Sequence, residues 1–215
     1  MEQRSVEWFQ ARAGKVTASR VSDVVARTKT GWGASRANYA AQLVAERLTG
    51  TVEEGYSNAA MQWGTDKEPE ARTAYSFLHG HSVVEEGFVN HPRLLMSGAS
   101  PDGLVGSVGL VEIKCPNTAT HIDTILSEAV PSKYITQMLW QMACCEREWC
   151  DFVSYDPRLP EEMRLFVKRV ERDDARIAEL EDEVSVFLRE VDETVSRLRA
   201  RYTSEDWRSN VLMAG

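Results

Sequence analysis

The sequence predicts an α/β fold in which helices flank a central mixed β-sheet. Three features support this prediction: a helix-rich first third, a middle part where short apolar runs alternate with glycine-rich turns, and one long amphipathic segment near the C-terminus. Because helical segments precede and follow the strands, a layered α/β arrangement buries the apolar faces of both. The chain of 215 residues is long enough for one substantial core, so we expect a single domain over residues 1–215.

The first third of the chain contains the predicted early helices. They cover residues 5–12, 17–25, 35–50 and 57–78. Ser5 is a suitable N-cap for the first helix, and Thr17 or Ser19 for the second. In the fourth helix Pro69 predicts a kink or a break, because proline removes one helical hydrogen bond.

The spacing of apolar residues then changes from helical to extended. Predicted strands cover residues 83–89, 94–99, 110–113, 150–155 and 163–170. Two helical segments, 119–127 and 131–145, separate the third of these strands from the fourth. Residues 173–201 form one long amphipathic helix, in which apolar residues recur at helical spacing.

The composition is that of an ordinary globular protein, with 43% hydrophobic and 27% charged residues. No apolar run approaches the ~20 residues that cross a membrane, and the N-terminus leads into no apolar signal segment. We therefore expect a cytoplasmic location and no membrane partner. The cysteines, Cys115, Cys144, Cys145 and Cys150, match no zinc framework, and we interpret them as structural thiols.

The net charge of −8 is unevenly distributed along the chain. Residues 1–50 carry eight Lys and Arg against four Asp and Glu, whereas residues 51–155 carry six against fourteen. A basic first part can face phosphates, and an acidic middle part can hold cations. This combination is expected of an enzyme that cuts nucleic acid with the help of a metal ion.

The segment 100–116 contains the most informative residues. Asp102 follows a predicted strand and precedes a glycine, which exposes its carboxylate at a strand end. Glu112 and Lys114 are two residues apart on one strand, so both face the same side while Ile113 points into the core. Two linked strands can bring Asp102 beside Glu112, and two such oxygen ligands define a Mg²⁺ site. The alternative is a surface ion pair next to an ordinary turn.

Further blocks of sequence accompany this segment in a fixed order. The five blocks are Trp8-x-x-x-Arg12-x-Gly14-x-Val16-Thr17-Ala18-Ser19, Trp63-Gly64-x-x-x-Glu68-x-x-Ala71-Arg72, Ser100-Pro101-Asp102-Gly103 with Glu112-Ile113-Lys114-Cys115-Pro116, Tyr134-x-x-Gln137-x-x-x-x-Met142, and Tyr155-Asp156-Pro157-Arg158. Together they span residues 8–158. The pattern resembles the branch of the PD-(D/E)XK nucleases typified by bacteriophage lambda exonuclease and the YqaJ-type viral recombinases.

The resemblance assigns the core residues. It implies that Asp102 and Glu112 bind metal, with the backbone carbonyl of Ile113 as a further ligand, and that Lys114 is the catalytic lysine. An ammonium beside the metal can stabilise the negative charge that develops in phosphodiester hydrolysis. Two Mg²⁺ ions for each active site are implied, with Mn²⁺ as a substitute.

Two further residues are implied to act beside the metals. Glu68 would project toward the second metal or the attacking water; a capping box with Thr65 is the alternative. Gln137 would position the water, and an exposed helix residue is the alternative.

The resemblance also implies contacts to DNA. Arg12, Ser19 and Ser100 would form a pocket for the 5′ phosphate, since arginine can bind phosphate in a bidentate manner and a helix N-terminus at Ser19 favours anions. Lys29 lies in a turn-rich segment, 29–34, that we predict to be a mobile loop. It is a candidate phosphate contact, with a solvated lysine as the alternative. Met61 occupies the position of a strand-separating wedge, or else belongs to the core.

The activity implied is exonuclease digestion of linear double-stranded DNA from 5′ to 3′, which leaves single-stranded 3′ overhangs for recombination by strand annealing. A homotrimer and a single-strand annealing protein as partner are implied by the resemblance only. The alternatives are a site-specific or structure-specific endonuclease on the same core and a non-catalytic protein that binds DNA ends.

Overall fold

The computed structural model describes residues 1–52 and 58–202 and confirms the mixed α/β architecture. The helices are α1 Val6–Arg12, α2 Val21–Val24, α3 Ala34–Thr49, α4 Ala59–His79, α5 Thr118–Ser127, α6 Ser132–Cys145 and α7 Asp174–Tyr202. The strands are β1 Val16–Thr17, β2 Arg27–Thr28, β3 Gly31–Trp32, β4 Val83–Val84, β5 Val89–Asn90, β6 Ser97–Ala99, β7 Gly103–Val105, β8 Gly109–Lys114, β9 Trp149–Tyr155 and β10 Leu165–Glu171. Short 3-10 helices cover Ala18–Arg20 and Glu161–Met163.

The largest sheet has five strands in the order β10-β9-β8-β7-β4. It is mixed, because β8 and β9 are parallel while the other neighbours are antiparallel. A second sheet has the order β1-β6-β5, and β2 and β3 form a separate hairpin. Strand β8 is therefore the middle strand of the large sheet, covered on both faces.

Alternate residues of β8 face two different apolar clusters. Leu110 belongs to the cluster formed with α3, α6 and α7, whereas Val111 and Ile113 belong to the cluster formed with α4. This alternation follows from the two-residue period of a strand. It places Glu112 on the same side as Leu110, toward α6.

Two predicted features of the middle part are wrong. The predicted strand 83–89 is divided into β4 and β5, which pair in different sheets, because the polar run Glu85-Glu86-Gly87 interrupts its alternation. The glycine-rich stretch between the predicted strands 94–99 and 110–113 is not all turn, because it contains the strand β7. Gly103 is required there, since a Cβ atom at this position would lie 2.1 Å from Cγ1 of Val83.

The N-terminal predictions are partly confirmed. Ser5 caps α1 by accepting a hydrogen bond from the backbone N of Trp8 at 3.2 Å. Thr17 makes no side-chain cap bond, and the predicted second helix is a 3-10 turn followed by the single turn of α2. The predicted mobile loop over 29–34 is wrong: these residues form most of the β2–β3 hairpin and the start of α3.

Helix α4 runs through Pro69 without a break. Burial of Ala71 and Tyr75 against the sheet compensates for the hydrogen bond that proline removes. The helix is capped by Asn58, whose side chain accepts from the backbone N of Met61 at 2.9 Å; its predicted start at Ser57 lies outside the described residues.

Helix α7 confirms the predicted C-terminal amphipathic segment. Its buried stripe consists of Ile177, Leu180, Val184, Phe187, Leu188, Val191 and Val195. Ion pairs join it to α3, including Arg36 with Glu190 at 2.5 Å and Arg47 with Asp192 at 2.6 Å. Within the described ranges, no helix combines the length and apolar character that crossing a membrane requires.

Candidate active site

Glu112 is the centre of the candidate site. Its side chain is 0% exposed, on the face of β8 that meets α6. Nε2 of Gln137 donates to Oε1 at 2.6 Å, and Nε2 of Gln141 donates to Oε2 at 2.6 Å. Nζ of Lys114 also donates to Oε1. A carboxylate buried to this degree requires such donors, because burial without them is costly.

Lys114 lies next to Glu112 on the same face of β8, as the sequence predicted. Burial alone would lower the pKa of Lys114, but the neighbouring carboxylates of Glu112 and Asp102 outweigh this effect and raise that pKa. Its Nζ also lies 5.3 Å from the ring centroid of Tyr134. The lysine is therefore a fixed cation beside two carboxylates.

Asp102 lies in the turn between β6 and β7, beside the end of β8. Its Oδ2 accepts a hydrogen bond from the backbone N of Ile113 at 2.7 Å. Burial raises the pKa of Asp102 well above its usual range, and the like charge of Glu112 raises it further, against the partial offset from Lys114. The fold thus brings two carboxylates together at an electrostatic cost.

These groups fit a Mg²⁺ ion. A divalent cation would relieve the repulsion between Asp102 and Glu112, and the backbone carbonyl of Ile113, the residue after Glu112, offers a further hard oxygen donor. In the part of the chain that the structure describes, no three His, Cys, Asp or Glu side chains are arranged to hold a metal. Mg²⁺ fits such a sparse set, since it keeps several waters and binds substrate phosphates.

Glu68 lies beside this centre but is paired with two arginines, Arg72 and, at 3.5 Å, Arg4. Arg72 donates to Oε1 of Glu68 at 2.6 Å and, through Nε, to the backbone carbonyl of Asp102 at 3.2 Å. The alternative of a capping box is excluded, because Thr65 lies inside α4 and its hydroxyl donates to the carbonyl of Met61. The structure therefore joins Glu68 to the Asp102 turn through Arg72.

A cleft of about 170 Å³ lies next to the carboxylates. Its lining includes Arg12, Ser19, Ser100 and Gln137, so the three predicted phosphate contacts are brought together. Gln137 lines this cleft and donates to Glu112. The predicted helix N-terminus at Ser19 is wrong, since Ser19 lies inside a three-residue 3-10 turn, too short for a substantial dipole.

Arg12 has the properties of an anion-binding cation. Its guanidinium stacks on Trp8, 3.8 Å from the ring centroid, and it has no ion-pair partner among the described residues. Burial lowers the pKa of Arg12 to about 10, against opposing contributions from Tyr39 and Glu46, so Arg12 is charged at neutral pH. A half-buried cation that makes no ion pair within the described residues is suited to receive a phosphate.

The remaining predicted DNA contacts lie outside this cleft. Met61 is 56% exposed and lines an adjoining cleft of about 520 Å³, which excludes the core interpretation. Lys29 is exposed in the turn of the β2–β3 hairpin. That hairpin is joined to α7 by the ion pair of Arg27 with Glu183 at 2.6 Å, so the structure does not bring Lys29 to the carboxylates.

Sequence reasoning missed two residues of the site. Trp8, to which the sequence assigned no role in the site, donates from Nε1 to Oγ of Ser100 at 2.9 Å and stacks on Arg12, so it joins two predicted phosphate contacts. Gln141 donates to Glu112. Its spacing of four residues from Gln137 places both on one helix face, and that signal was available in the sequence.

Glu112 and Lys114 on the central strand of a mixed sheet, with Asp102 in the adjoining turn and an arginine-lined cleft beside them, define a nuclease of the PD-(D/E)XK class. The model of the YqaJ-like viral recombinase domain matches residues 7–148. The chain belongs to this family, which confirms the resemblance seen in the sequence.

Solved structures agree with this assignment. LHK-Exo, an alkaline exonuclease from Laribacter hongkongensis, in complex with dAMP is 56% identical, with 93% of this chain and 98% of that chain covered and a TM-score of 0.87. A phage related exonuclease from Haemophilus somnus 129PT shares the fold at 16% identity, with coverage of 86% and 96% and a TM-score of 0.71. A comparison with curated proteins finds no match.

Proposed function

We propose that this protein is a Mg²⁺-dependent exonuclease that degrades linear double-stranded DNA from 5′ to 3′ and leaves single-stranded 3′ overhangs for recombination. The family and the alkaline exonuclease relative support nuclease chemistry on DNA. The observation that carries the exonuclease assignment is the position of Gln137, which lines the Arg12 cleft and donates to Glu112. A phosphate in that cleft lies one side chain from the carboxylates, so the bond cut is close to the strand end.

In this proposal each residue of the site has its own chemical role. Asp102, Glu112 and the carbonyl of Ile113 hold Mg²⁺, which supplies Lewis-acid stabilisation of the phosphodiester and a nucleophilic water when bound. We expect each site to hold two ions, with Mn²⁺ as a substitute for Mg²⁺. Lys114 offsets the negative charge that develops on the phosphate oxygens. Glu68 would face the second ion or the attacking water once its ion pairs with Arg72 and Arg4 open.

Two other residues prepare the substrate. Gln137 orients the attacking water while it keeps its bond to Glu112. Arg12 binds the terminal 5′ phosphate with Ser19 and Ser100, and Trp8 holds both Arg12 and Ser100 in place. Met61, exposed in the adjoining cleft, separates the strands ahead of cleavage, and Lys29 contacts phosphates further along the duplex.

The direct test of this function compares two forms of one plasmid. With Mg²⁺, the linear form should lose nucleotides from its 5′ ends and be converted to mononucleotides and single-stranded DNA, while the covalently closed circle should stay intact. Cutting of the circle would favour the alternative endonuclease on the same core. Binding of DNA ends without hydrolysis of either form would favour a non-catalytic end-binding protein.

The proposed 5′-phosphate pocket predicts that Arg12 determines the preference of the enzyme for 5′-phosphorylated DNA ends. Arg12→Ala should reduce the preference for 5′-phosphorylated over 5′-hydroxyl ends by about one to two orders of magnitude, because a charge-assisted contact contributes roughly 1.5–3 kcal/mol. The measurement is the initial rate on matched duplexes with the two kinds of end. The Mg²⁺ requirement should be unchanged, since Arg12 is not a ligand.

Arg20→Gln is the matched control for Arg12. Arg20 lines the adjoining cleft and is paired with Asp23 at 2.5 Å, so its loss changes the local charge without removing the phosphate pocket. It should leave the ratio between the two kinds of end unchanged. Equal slowing of both ends by Arg12→Ala would show that Arg12 is a general DNA contact.

The proposal includes assembly and partners. We expect a homotrimer that encloses duplex DNA, a single-strand annealing protein as recombination partner, and a cytoplasmic location. These expectations rest on the family. Light scattering of the full chain should give about three times the mass of one chain, 24.2 kDa. A monomer at assay concentrations would contradict the trimer.

A further inference from the structure

Gln141 is a fully buried polar residue in an apolar helix face. Its side chain is 0% exposed, and its neighbours in α6, from Met138 to Cys144, are otherwise apolar and buried. Its Nε2 donates to Oε2 of Glu112 at 2.6 Å. Because a buried amide is costly without a partner, the polarity of this position is explained by the carboxylate it contacts.

The donors around Glu112 divide between its two oxygens. Gln137 and Lys114 both donate to Oε1, whereas Gln141 is the one donor to Oε2 among the described residues. The terminal torsion of a glutamate is soft. Without Gln141, no described donor holds Oε2, and the carboxylate is held through Oε1 alone.

The carbonyl oxygen of the Gln141 amide makes no hydrogen bond to the described residues. This atom, Oε1, is also buried. Gln141 is therefore not one link in a larger structural network, because its described hydrogen bond goes to Glu112 alone. A buried acceptor of this kind is usually met by a water or an ion when the site is complete.

We propose that Gln141 is a positioning residue that holds the carboxylate of Glu112 in the orientation in which it binds a divalent metal. This inference rests on the proposed function, which makes Glu112 a metal ligand. Groups that orient a ligating carboxylate typically change metal affinity by about 10–100-fold when they are removed. Gln141 differs from Gln137 in that it lines no part of the described 170 Å³ cleft, so its effect is on the ligand and not on the DNA end.

The test measures Mn²⁺ binding to the full chain by calorimetry, in the absence of DNA. Gln141→Met keeps the shape of the side chain and removes the donor, and it should weaken Mn²⁺ binding by about 10–100-fold. In cleavage assays the same variant should need more Mn²⁺ for half-maximal rate but approach the wild-type kcat at saturating Mn²⁺. Gln141→Asn, which withdraws the amide by one methylene, should also weaken binding.

Ala143→Gly is the matched control. Ala143 is buried in the same helix, and glycine there weakens the helix without changing a donor to Glu112. It should lower the Tm and leave Mn²⁺ affinity unchanged. If Gln141→Met does not fold, the Mn²⁺ affinity of Gln141→Asn tests the inference in its place.

The outcomes separate the inference from the proposed function. Unchanged Mn²⁺ affinity in the Gln141 variants, with binding by the wild type, would overturn the inference alone. An equal loss of affinity in Ala143→Gly would also overturn it, because the effect would then be a general one of the helix. No Mn²⁺ binding by the wild type at all would contradict the proposed metal site itself.

Discussion

Asp102→Ala should abolish DNA cleavage. The substitution removes one of two carboxylates proposed to hold Mg²⁺, and with it several kcal/mol of transition-state stabilisation, which corresponds to a loss of about a thousandfold or more in rate. The measurement is the release of mononucleotides from linear duplex DNA in Mg²⁺. Binding to DNA ends should persist, because the Arg12 cleft does not include Asp102.

Asp102→Asn is the matched variant, since it keeps an oxygen that can accept from the backbone N of Ile113 while it removes the charge. It should be as inactive as Asp102→Ala. Near-normal turnover by either folded variant would contradict the proposed role of Asp102 as a metal ligand.

Asp102→Asn should also stabilise the metal-free protein. The folded pKa of Asp102 is raised above its unfolded value by burial and by Glu112, so the ionised carboxylate favours the unfolded state. This penalty is absent below the unfolded pKa of about 3.9 and grows as the pH rises toward the folded pKa. In EDTA at neutral pH the variant should therefore have a higher Tm than the wild type, and the difference should disappear in strong acid.

Lys114→Ala should slow cleavage by about 10²–10³-fold or more, because it removes a fixed cation aimed at the site where negative charge develops. Single-turnover rates at saturating Mg²⁺ measure this loss. Mn²⁺ binding should not weaken, because the substitution leaves both carboxylates in place. It also frees Oε1 of Glu112, to which Lys114 donates in the wild type.

Lys133→Ala is the control for Lys114. Its Nζ lies 4.7 Å from the ring centroid of Tyr134, the same ring that Lys114 approaches, and no described carboxylate pairs with it. It should keep nearly the full rate. A loss below about tenfold for Lys114→Ala would show that Lys114 is only a local ion-pair partner.

The part of the site that a single strand determines could be predicted from the sequence. Glu112 and Lys114 share a face because the period of a strand is two residues, and Ile113 is buried for the same reason. Asp102 lies close to Glu112 because the short strand β7, which follows Asp102, pairs with the next strand, β8. These relations are local, so the pattern of residues was sufficient.

Contacts between distant segments could not be predicted in this way. Trp8 and Ser100 are 92 residues apart in the chain, and only the tertiary fold brings α1 to the residue that follows β6. The division of residues 83–89 between two sheets likewise depends on which strands are available as partners. The apparent loop 29–34 was predicted from its turn residues alone, yet Arg27 stacks on Trp32 and fixes a hairpin.

The most direct measurement of the central claim is a time course on linear duplex DNA that carries a radioactive 5′ phosphate on one strand and a fluorescent group at the 3′ end of the same strand. With Mg²⁺, the radioactive label should be released first, as a mononucleotide, while the fluorescent strand shortens progressively; EDTA or Asp102→Asn should stop both. Earlier loss of the 3′ label, internal fragments as first products, or cleavage that persists in EDTA would contradict a metal-dependent 5′-to-3′ exonuclease.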